Sequence, residues 1–301
     1  MNKIKTNLGM KVLEMIDLSI IIVNYNTKKL LADTIQSVID TVGLIKYEII
    51  VVDNASADGS IEMVNAQYPQ ANLIENKDNL GFPKANNIGI KEASGRYILL
   101  LNSDTKVLNS CVQKCLEYMD SNIKVGALGC KLLLANGKLD HACKRGFPTP
   151  EASLYYILNL HKLFPTSKKF GEYTLNYLPI DEINEVDALT GAFMMVRKEV
   201  INKVGLLDET FFMYGEDLDW CFRIKEAGYK VIYYPEAVTI HYKGGSSKRK
   251  RYKTIYEFHR AMFIFYNKHY RNKYNFIITG IVFCAIAVKM TVAFIINFFK
   301  L

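Results

Sequence analysis

Glu216, Asp217 and Asp219 place three carboxylates within four positions, beside the only tryptophan of the chain, Trp220. Neighbouring acids raise one another's pKa, and one held against a substrate hydroxyl can take its proton. The same acids suit the first turn of a helix, where the macrodipole favours them and Arg223 can pair with Asp219 or Glu216. Both roles fit together with Asp217 as a general base and Asp219 as a structural partner. A second constellation is Asn102-Ser103-Asp104, directly after the apolar run 97–101. A carboxylate there can hold Mg²⁺ or Mn²⁺ against a diphosphate and so neutralise a departing phosphate. Asn, Ser and Asp also make an ordinary turn. His241 precedes Gly244-Gly245-Ser246-Ser247 and the basic run Lys248-Arg249-Lys250-Arg251. It is either a structural histidine or a ligand at the mouth of a loop whose N–H groups can fold over a diphosphate. The basic run suits a phosphate, plain solvent or anionic lipid.

These groups need a frame that brings them together. Residues 18–23, 47–52 and 97–101 are short β-branched or leucine-rich runs, the pattern of strands buried on both faces of a parallel sheet. Between them, helical spacing is predicted over 30–39, 59–67 and 84–93, with a short strand at 72–75. The apolar runs end in Asn24-Tyr25-Asn26, Asp53-Asn54 and Asn102-Ser103-Asp104, and strand ends of a parallel α/β sheet share one edge, so these polar groups converge on one crevice. Asp53 then suits either the N–H of a pyrimidine base or the cap of the next helix, with Asn54, Ser56 and Asp58 as rival caps. Farther on, a helix at 110–120, strands at 125–134, 186–196 and 233–240 (with Pro235 inside the last), and a helix at 198–204 are predicted. The proline-bearing stretch 146–183 suits a substrate-facing insertion.

The chain has 301 residues, 38 Lys plus Arg against 30 Asp plus Glu, and a net charge of +8. With 50% hydrophobic and 23% charged residues it is neither disordered nor collagen-like. Its basic excess argues for phosphates or a lipid surface as partners, and no nucleic-acid partner is expected. Six cysteines without a C-x-x-C pair support neither a disulfide framework nor structural zinc. No G-x-G-x-x-G follows the first strand and no Walker loop occurs, which argues against a nicotinamide enzyme or a P-loop ATPase. Residues 1–17 lack the apolar run of a signal peptide, so the catalytic part is expected in the cytosol.

Residues 252–266 carry Ile255, Phe258, Met262 and Phe265 at helical spacing with basic neighbours, which suits a membrane interface. Residues 276–299 are almost continuously apolar, with Lys289 and Asn297 the strongly polar exceptions. That length crosses a hydrocarbon core of about 30 Å, although Lys289 would cost about 3 kcal/mol at its centre. A spanning helix, an interfacial or re-entrant helix pair, and a homo-oligomer contact all fit the tail. The positive flank from Lys268 to Lys273 fits a cytoplasmic start.

Residues 19–26 (SIIIVNYN), 51–59 (VVDNASADG), 79–89 (NLGFPKANNIG), 100–104 (LLNSD), 190–197 (TGAFMMVR) and 214–223 (YGEDLDWCFR) together resemble family 2 of the glycosyltransferases. The subgroup most similar is the bacterial rhamnosyltransferases of cell-envelope polysaccharide synthesis. The resemblance implies a GT-A, Rossmann-like fold: a mixed, mostly parallel sheet flanked by helices, here with a helical membrane-associating tail. It implies an N-terminal extension (1–17), a catalytic domain (18–251) with a donor half (18–105) and an acceptor half (106–251), and tail helices (252–301). It implies a nucleotide diphosphate sugar donor, Mn²⁺ or Mg²⁺, and inversion at the anomeric carbon. Carried onto this chain, Asn24, Tyr25, Asn26 and Asp53 hold the nucleoside, and Asn79, Lys84, Asn86 and Ser103 line the donor pocket. Asp104 and His241 hold the metal, Asp217 is the base, and Glu216, Trp220 and Gly191 lie on the acceptor side. The family's Asp-x-Asp motif has Asn102 at its first position here, which leaves Asp104 as the single carboxylate. The leading expectation is transfer from dTDP-rhamnose to a lipid-linked glycan on the cytoplasmic face of the plasma membrane. UDP-hexose or UDP-GlcNAc donors and a silent nucleotide-sugar binder are the alternatives. A nucleotidyltransferase would need a Gly- and Arg-rich phosphate loop, which residues 24–29 do not form.

Overall fold

The β-branched runs and the helices between them fold into alternating layers, seen here in a computed structural model that describes residues 15–243 and 251–299. Residues 1–14, the glycine-serine loop at 244–247, residues 248–250 with the side chain of Arg251, and residues 300–301 lie outside the described residues. The first half of the chain is β1 (Leu18–Asn24), α1 (Lys28–Thr41), β2 (Tyr47–Asp53), α2 (Ser60–Gln67), β3 (Asn72–Glu75), α3 (Phe82–Glu92) and β4 (Tyr97–Asn102). Then follow β5 (Thr105–Val107), α4 (Cys111–Ser121), β6 (Val125–Leu134), α5 (Pro150–Ile157), α6 (Leu160–Leu163), β7 (Asn184–Glu185), β8 (Phe193–Arg197), α7 (Lys198–Val204), α8 (Glu216–Glu226) and β9 (Lys230–His241). The tail is α9 (Arg251–His269) and α10 (Phe276–Phe298).

The described strands form one sheet in the order β3-β2-β1-β4-β8-β6-β9-β5, with β7 paired to β9. β3, β2, β1 and β4 are all parallel, whereas β8 runs antiparallel to both β4 and β6. Ile20, Ile21 and Ile22 of β1 are fully buried, because helices cover both faces. Each such side chain contributes about 1.5–3 kcal/mol of burial, so this block is a stiff base for the loops at its carboxyl edge. Registers Asn24↔Asp53 and Val23↔Asn102 put the three polar strand ends side by side.

Several predicted boundaries move for local reasons. The helix expected from residue 84 starts at Phe82, since Pro83 in the first turn supplies a preset φ where no backbone donor is needed. The strand expected over 186–196 is confined to Phe193–Arg197. Before it, the N–H of Phe193 turns back to the carbonyl of Thr190, which leaves Gly191 facing the cavity described below. β9 keeps Pro235 because its pairing with β6 shifts register between Tyr234 and Val238, and that bulge requires no ladder donor.

α9 buries Ala261, Phe265 and Tyr266, and Tyr270 just after it is buried as well, with Phe265 against Phe147 and Phe222. α10 returns antiparallel along α9, with Phe263 on Phe283 at 4.6 Å, Tyr252 on Phe294 at 5.9 Å, and Tyr266 Oη 3.0 Å from Thr279 Oγ1. α10 is long and apolar enough to cross a membrane, and only 6% of its most apolar stretch is buried. The tail is thus a helix pair docked on the catalytic part.

Candidate active site

At the edge of the parallel block, hydrogen bonds tie the loops into one floor. Asn24 Nδ2 donates to Asp53 Oδ1 (2.8 Å) and to Ser56 Oγ (3.0 Å), and the N–H of Ser56 donates to Asp53 Oδ2 (2.7 Å). Thr27 Oγ1 donates to Asn24 Oδ1 (2.6 Å) and lies 2.9 Å from Ser103 Oγ. Asp53 therefore braces the floor and does not cap α2; Asp58 accepts from the N–H groups of Ser60 and Lys28 instead. Asn26 (φ 54) and Ala55 (φ 63) adopt left-handed backbone, a strain that persists where surrounding structure enforces it. Gly81 (φ +85) is required on both counts, because a Cβ there would lie 2.5 Å from the carbonyl oxygen of Phe212.

The short β5 pairs with β9 so that Thr105 faces His241, which brings Asp104 to the imidazole: His241 Nε2 is 3.3 Å from Asp104 Oδ1 and 3.5 Å from Asn102 Nδ2. Behind the ring, Nδ1 lies 3.0 Å from Oδ2 of the buried Asp140, whose Oδ1 accepts from Lys243 (2.7 Å). Burial alone would lower the His241 pKa, but the carboxylates of Asp104 and Asp140 outweigh it and hold it up at about 9. Burial works the other way on Asp140, and its hydrogen bonds to His241 and Lys243 overcome it and keep the carboxyl well below the usual range. One carboxylate and one imidazole oriented from behind by a second carboxylate fit a divalent cation, which would take the place of the Nε2 proton and leave its other positions to phosphate and water. Among the described residues no cluster of three or more metal-ligating side chains forms, so Asp104 and His241 would share the ion with the substrate.

Opposite, α8 presents its acidic first turn, preceded by Tyr214 (φ 70) and Gly215 (φ 83). Asp219 turns away into a buried cluster with Arg223 (2.9 Å), Lys268 (2.7 Å) and His269 (2.8 Å). Asp217 and Glu216 face the cavity. Asp217 Oδ2 accepts from Arg145 Nη2 at 2.6 Å, whereas Glu216 Oε2 and Arg145 Nε are buried without a protein partner. Burial, followed by the charge of Asp217, pushes Glu216 up to about 8. Two adjacent acids thus sit in opposite surroundings, Asp217 ion-paired with Arg145 and Glu216 desolvated, an arrangement common where proton transfer occurs.

Both ends open into one cavity of about 1070 Å³, against roughly 300–1,000 Å³ for a pocket holding one small ligand. Tyr25, Asn79, Ser103, Asp104, His241, Gly191, Glu216 and Asp217 line it, as do the insertion (Pro148, Leu154, Tyr156, Tyr173) and the apolar faces of α9 and α10. Asn24, Asn26 and Asp53, expected to touch the nucleoside, lie in the floor beneath, outside the lining, where their hydrogen bonds to one another and to Ser56 and Thr27 hold them. Three further expected contacts need correction. Lys84 is exposed and outside the lining, because the turn that starts α3 at Phe82 carries it onto the solvent side. Asn86 spends its amide on the carbonyl of Phe82 (2.9 Å). Trp220 is fully buried beneath α8, where its indole N–H donates to the carbonyl of Gly205 (2.9 Å). Arg145 and Asp140 carry no sequence signal for their roles, since each meets its partner across a long separation and belongs to no motif.

Residues 19–133 match glycosyl transferase family 2, and residues 97–299 match glycosyl transferase family group 2. The N-acetylglucosaminyl-diphospho-decaprenol L-rhamnosyltransferase of Mycobacterium tuberculosis is 25% identical over 228 residues, covering 72% of this chain and 73% of the relative. The rhamnosyltransferase WbbL of Escherichia coli is 26% identical over 204 residues, covering 65% of this chain and 73% of its own. In fold, the chain is similar to GalNAc-T7, solved with UDP, GalNAc and Mn²⁺, at a TM-score of 0.60 and 16% identity, over 84% of this chain and 50% of that one. It is similar to the mannosyltransferase PcManGT of Pyrobaculum calidifontis, solved with GDP-Man and Mn²⁺, at a TM-score of 0.57 and 16% identity, over 84% and 64%. The sheet with its flanking helices is accordingly a GT-A fold, and with a family match over more than half its length the chain belongs to the family 2 glycosyltransferases.

Proposed function

We propose that this glycosyltransferase moves rhamnose, with inversion, from dTDP-rhamnose to a lipid-linked glycan on the cytoplasmic face of the membrane. The observation that carries the reading is the single cavity that joins the Asp104–His241 pair to Asp217 and is walled by the apolar α9–α10 pair. Rhamnose as the sugar follows from the names of the relatives, and so does the lipid-linked acceptor.

In this reading the donor half (18–105) holds the nucleotide, the acceptor half (106–251) presents the base, and 252–301 meet the lipid. Tyr25, Asn79 and Ser103 contact the donor on the floor that Asn24, Asn26 and Asp53 brace. Asp104 and His241 would hold a divalent ion, which would supply charge neutralisation for the leaving diphosphate. Asp217 takes the proton of the acceptor hydroxyl, positioned by its ion pair with Arg145. Glu216, held neutral, donates a hydrogen bond from its free carboxyl to the acceptor, and Gly191 lets the sugar approach the backbone. Attack from the Asp217 side and departure toward Asp104 lie on opposite faces of the sugar, so one displacement inverts the anomeric centre without a covalent enzyme intermediate. Around α10, the exposed Leu158, Leu163 and Phe164 of the insertion extend the apolar surface toward a bilayer.

The test is release of nucleotide diphosphate from dTDP-rhamnose, UDP-glucose, UDP-galactose and UDP-GlcNAc by the purified protein, with Mn²⁺ or Mg²⁺, with EDTA, and with Asp104→Ala. Slow release of dTDP, abolished by EDTA and by the substitution, is the expected result. Preferred hydrolysis of a UDP-sugar would overturn rhamnose as the sugar, and absence of nucleotide binding would overturn the assignment of the strand ends.

A further inference from the structure

Lys289 is the one charged residue of α10, on a helix otherwise built of apolar and small residues. It faces inward. Its ammonium lies 5.4 Å from the ring of Phe258 on α9, and it lines both the catalytic cavity and a neighbouring cavity of about 540 Å³ between α10 and the insertion. Among the described residues no carboxylate pairs with it: Glu257 on the facing helix pairs with Arg260, and Glu151 of α5 accepts from Tyr274. An amine drawn out of water without a counter-ion is costly, so its position calls for an anionic partner.

The second cavity carries an independent sign of that partner. His161 is 6% exposed, stacked on Tyr156 at 4.9 Å, and its Nδ1 is buried with no hydrogen-bond partner. Lys162 follows it on the same wall, and Val288 and Val292 of α10 supply an apolar track opposite. Tyr156, Ile157, Ala285 and Lys289 belong to both cavities, so the basic junction opens directly on the space that leads to Asp217. Cationic and hydrogen-bonding groups at a junction, an apolar track on one side and the base on the other match a glycan joined to a prenyl chain through a diphosphate.

We propose that this junction is the acceptor's diphosphate subsite, with Lys289 and His161 holding phosphate oxygens, Lys162 at the rim, and the prenyl chain leaving along Val288 and Val292. The inference rests on the lipid-linked acceptor proposed above and deepens it. It assigns the lysine of the apolar helix to substrate recognition, and it separates two diphosphates: the donor's at Asp104 and His241, the acceptor's at Lys289.

Calorimetric titration of the full-length protein with farnesyl diphosphate, dTDP and farnesol separates these roles, using wild type, Lys289→Met and Lys289→Arg. Methionine keeps the shape and suits an apolar helix, and an unchanged thermal melt reports that the variants are folded. A charge-assisted hydrogen bond is worth about 1.5–3 kcal/mol, so Lys289→Met should weaken farnesyl diphosphate by about 10- to 100-fold, Lys289→Arg should restore most of it, and dTDP and farnesol should bind as in wild type. Unchanged farnesyl diphosphate affinity in Lys289→Met would overturn the subsite, as would an equal loss for dTDP, which would place the lysine on the donor. Because binding is read without turnover, failure of the donor-hydrolysis test leaves this result separately decidable.

Discussion

Glu216 and Asp217 are neighbours in sequence with opposite surroundings. Arg145 and the N–H of Leu218 engage Asp217, while Glu216 is buried with one oxygen unpaired. A positioned general base contributes about 10²- to 10⁴-fold, so Asp217→Asn should lower kcat by that order and leave dTDP affinity intact. Unchanged turnover would remove Asp217 from the role. Glu216 gives a prediction of opposite sign to most carboxylates. Its pKa in the folded protein, about 8, stands above the ordinary 4.5, so the folded state binds the extra proton and loses stability as pH rises between those values. Glu216→Gln keeps the neutral form at every pH. Its melting temperature should therefore exceed that of wild type at pH 8–9, and the difference should vanish near pH 4.5. A gap independent of pH would mean that the side chain is not neutral in the native site.

At the scale of elements, Asp219 holds α9 to α8. Its carboxylate gathers Arg223 from its own helix and Lys268 and His269 from the end of α9, while Phe265 packs nearby on Phe222. Removing this carboxylate takes from Arg223 its only carboxylate partner among the described residues and leaves Lys268 with Asp208 alone, so Asp219→Ala should cost about 3–5 kcal/mol in denaturant unfolding. Burial would raise the pKa of Asp219, but the bonds from His269, Arg223 and Lys268 bring it down to about 2. That stability is fully present above the ordinary carboxyl pKa and is lost as pH falls from about 4 to about 2, a contribution of roughly 2 kcal/mol. The acid limb of the wild-type stability curve should be steeper than that of Asp219→Asn over this window, and parallel limbs would show that other carboxylates carry it.

For the whole molecule, the decisive surface is the outer face of α10, where Phe276, Ile277, Ile295 and Phe298 are exposed. A patch of this kind marks a membrane or protein contact, and each such side chain gains about 1.5–3 kcal/mol on leaving water. Flotation with vesicles containing anionic lipid should carry wild type to the top of the gradient and leave Ile277→Glu/Ile295→Glu behind. If wild type stays behind and light scattering shows a dimer that the double variant dissolves, the face is a contact between copies and the membrane assignment fails.

The strands were legible because period and composition act locally: a buried parallel strand must be apolar throughout, and a polar triplet must follow where it leaves the sheet. Asn24, Asp53, Ser103 and Asp104 could therefore be placed on one edge without coordinates. The direction of a helical side chain was less accessible, since it depends on where the helix begins, and a start at Phe82 sends Lys84 to solvent. Trp220 follows two carboxylates that frame the cavity, yet helical rotation and the carbonyl of Gly205 take it into the core. Arg145 reaches Asp217 across 72 residues and Asp140 reaches His241 across 101, separations at which no spacing rule operates. Sequence by itself determined the α/β order, the shared edge of polar strand ends and the presence of an apolar tail, because these follow from short-range pattern. Only the tertiary structure decided which acid is ion-paired and which is neutral, what stands behind His241, and that Lys289 faces the cavity, because each depends on groups that meet only when distant segments pack.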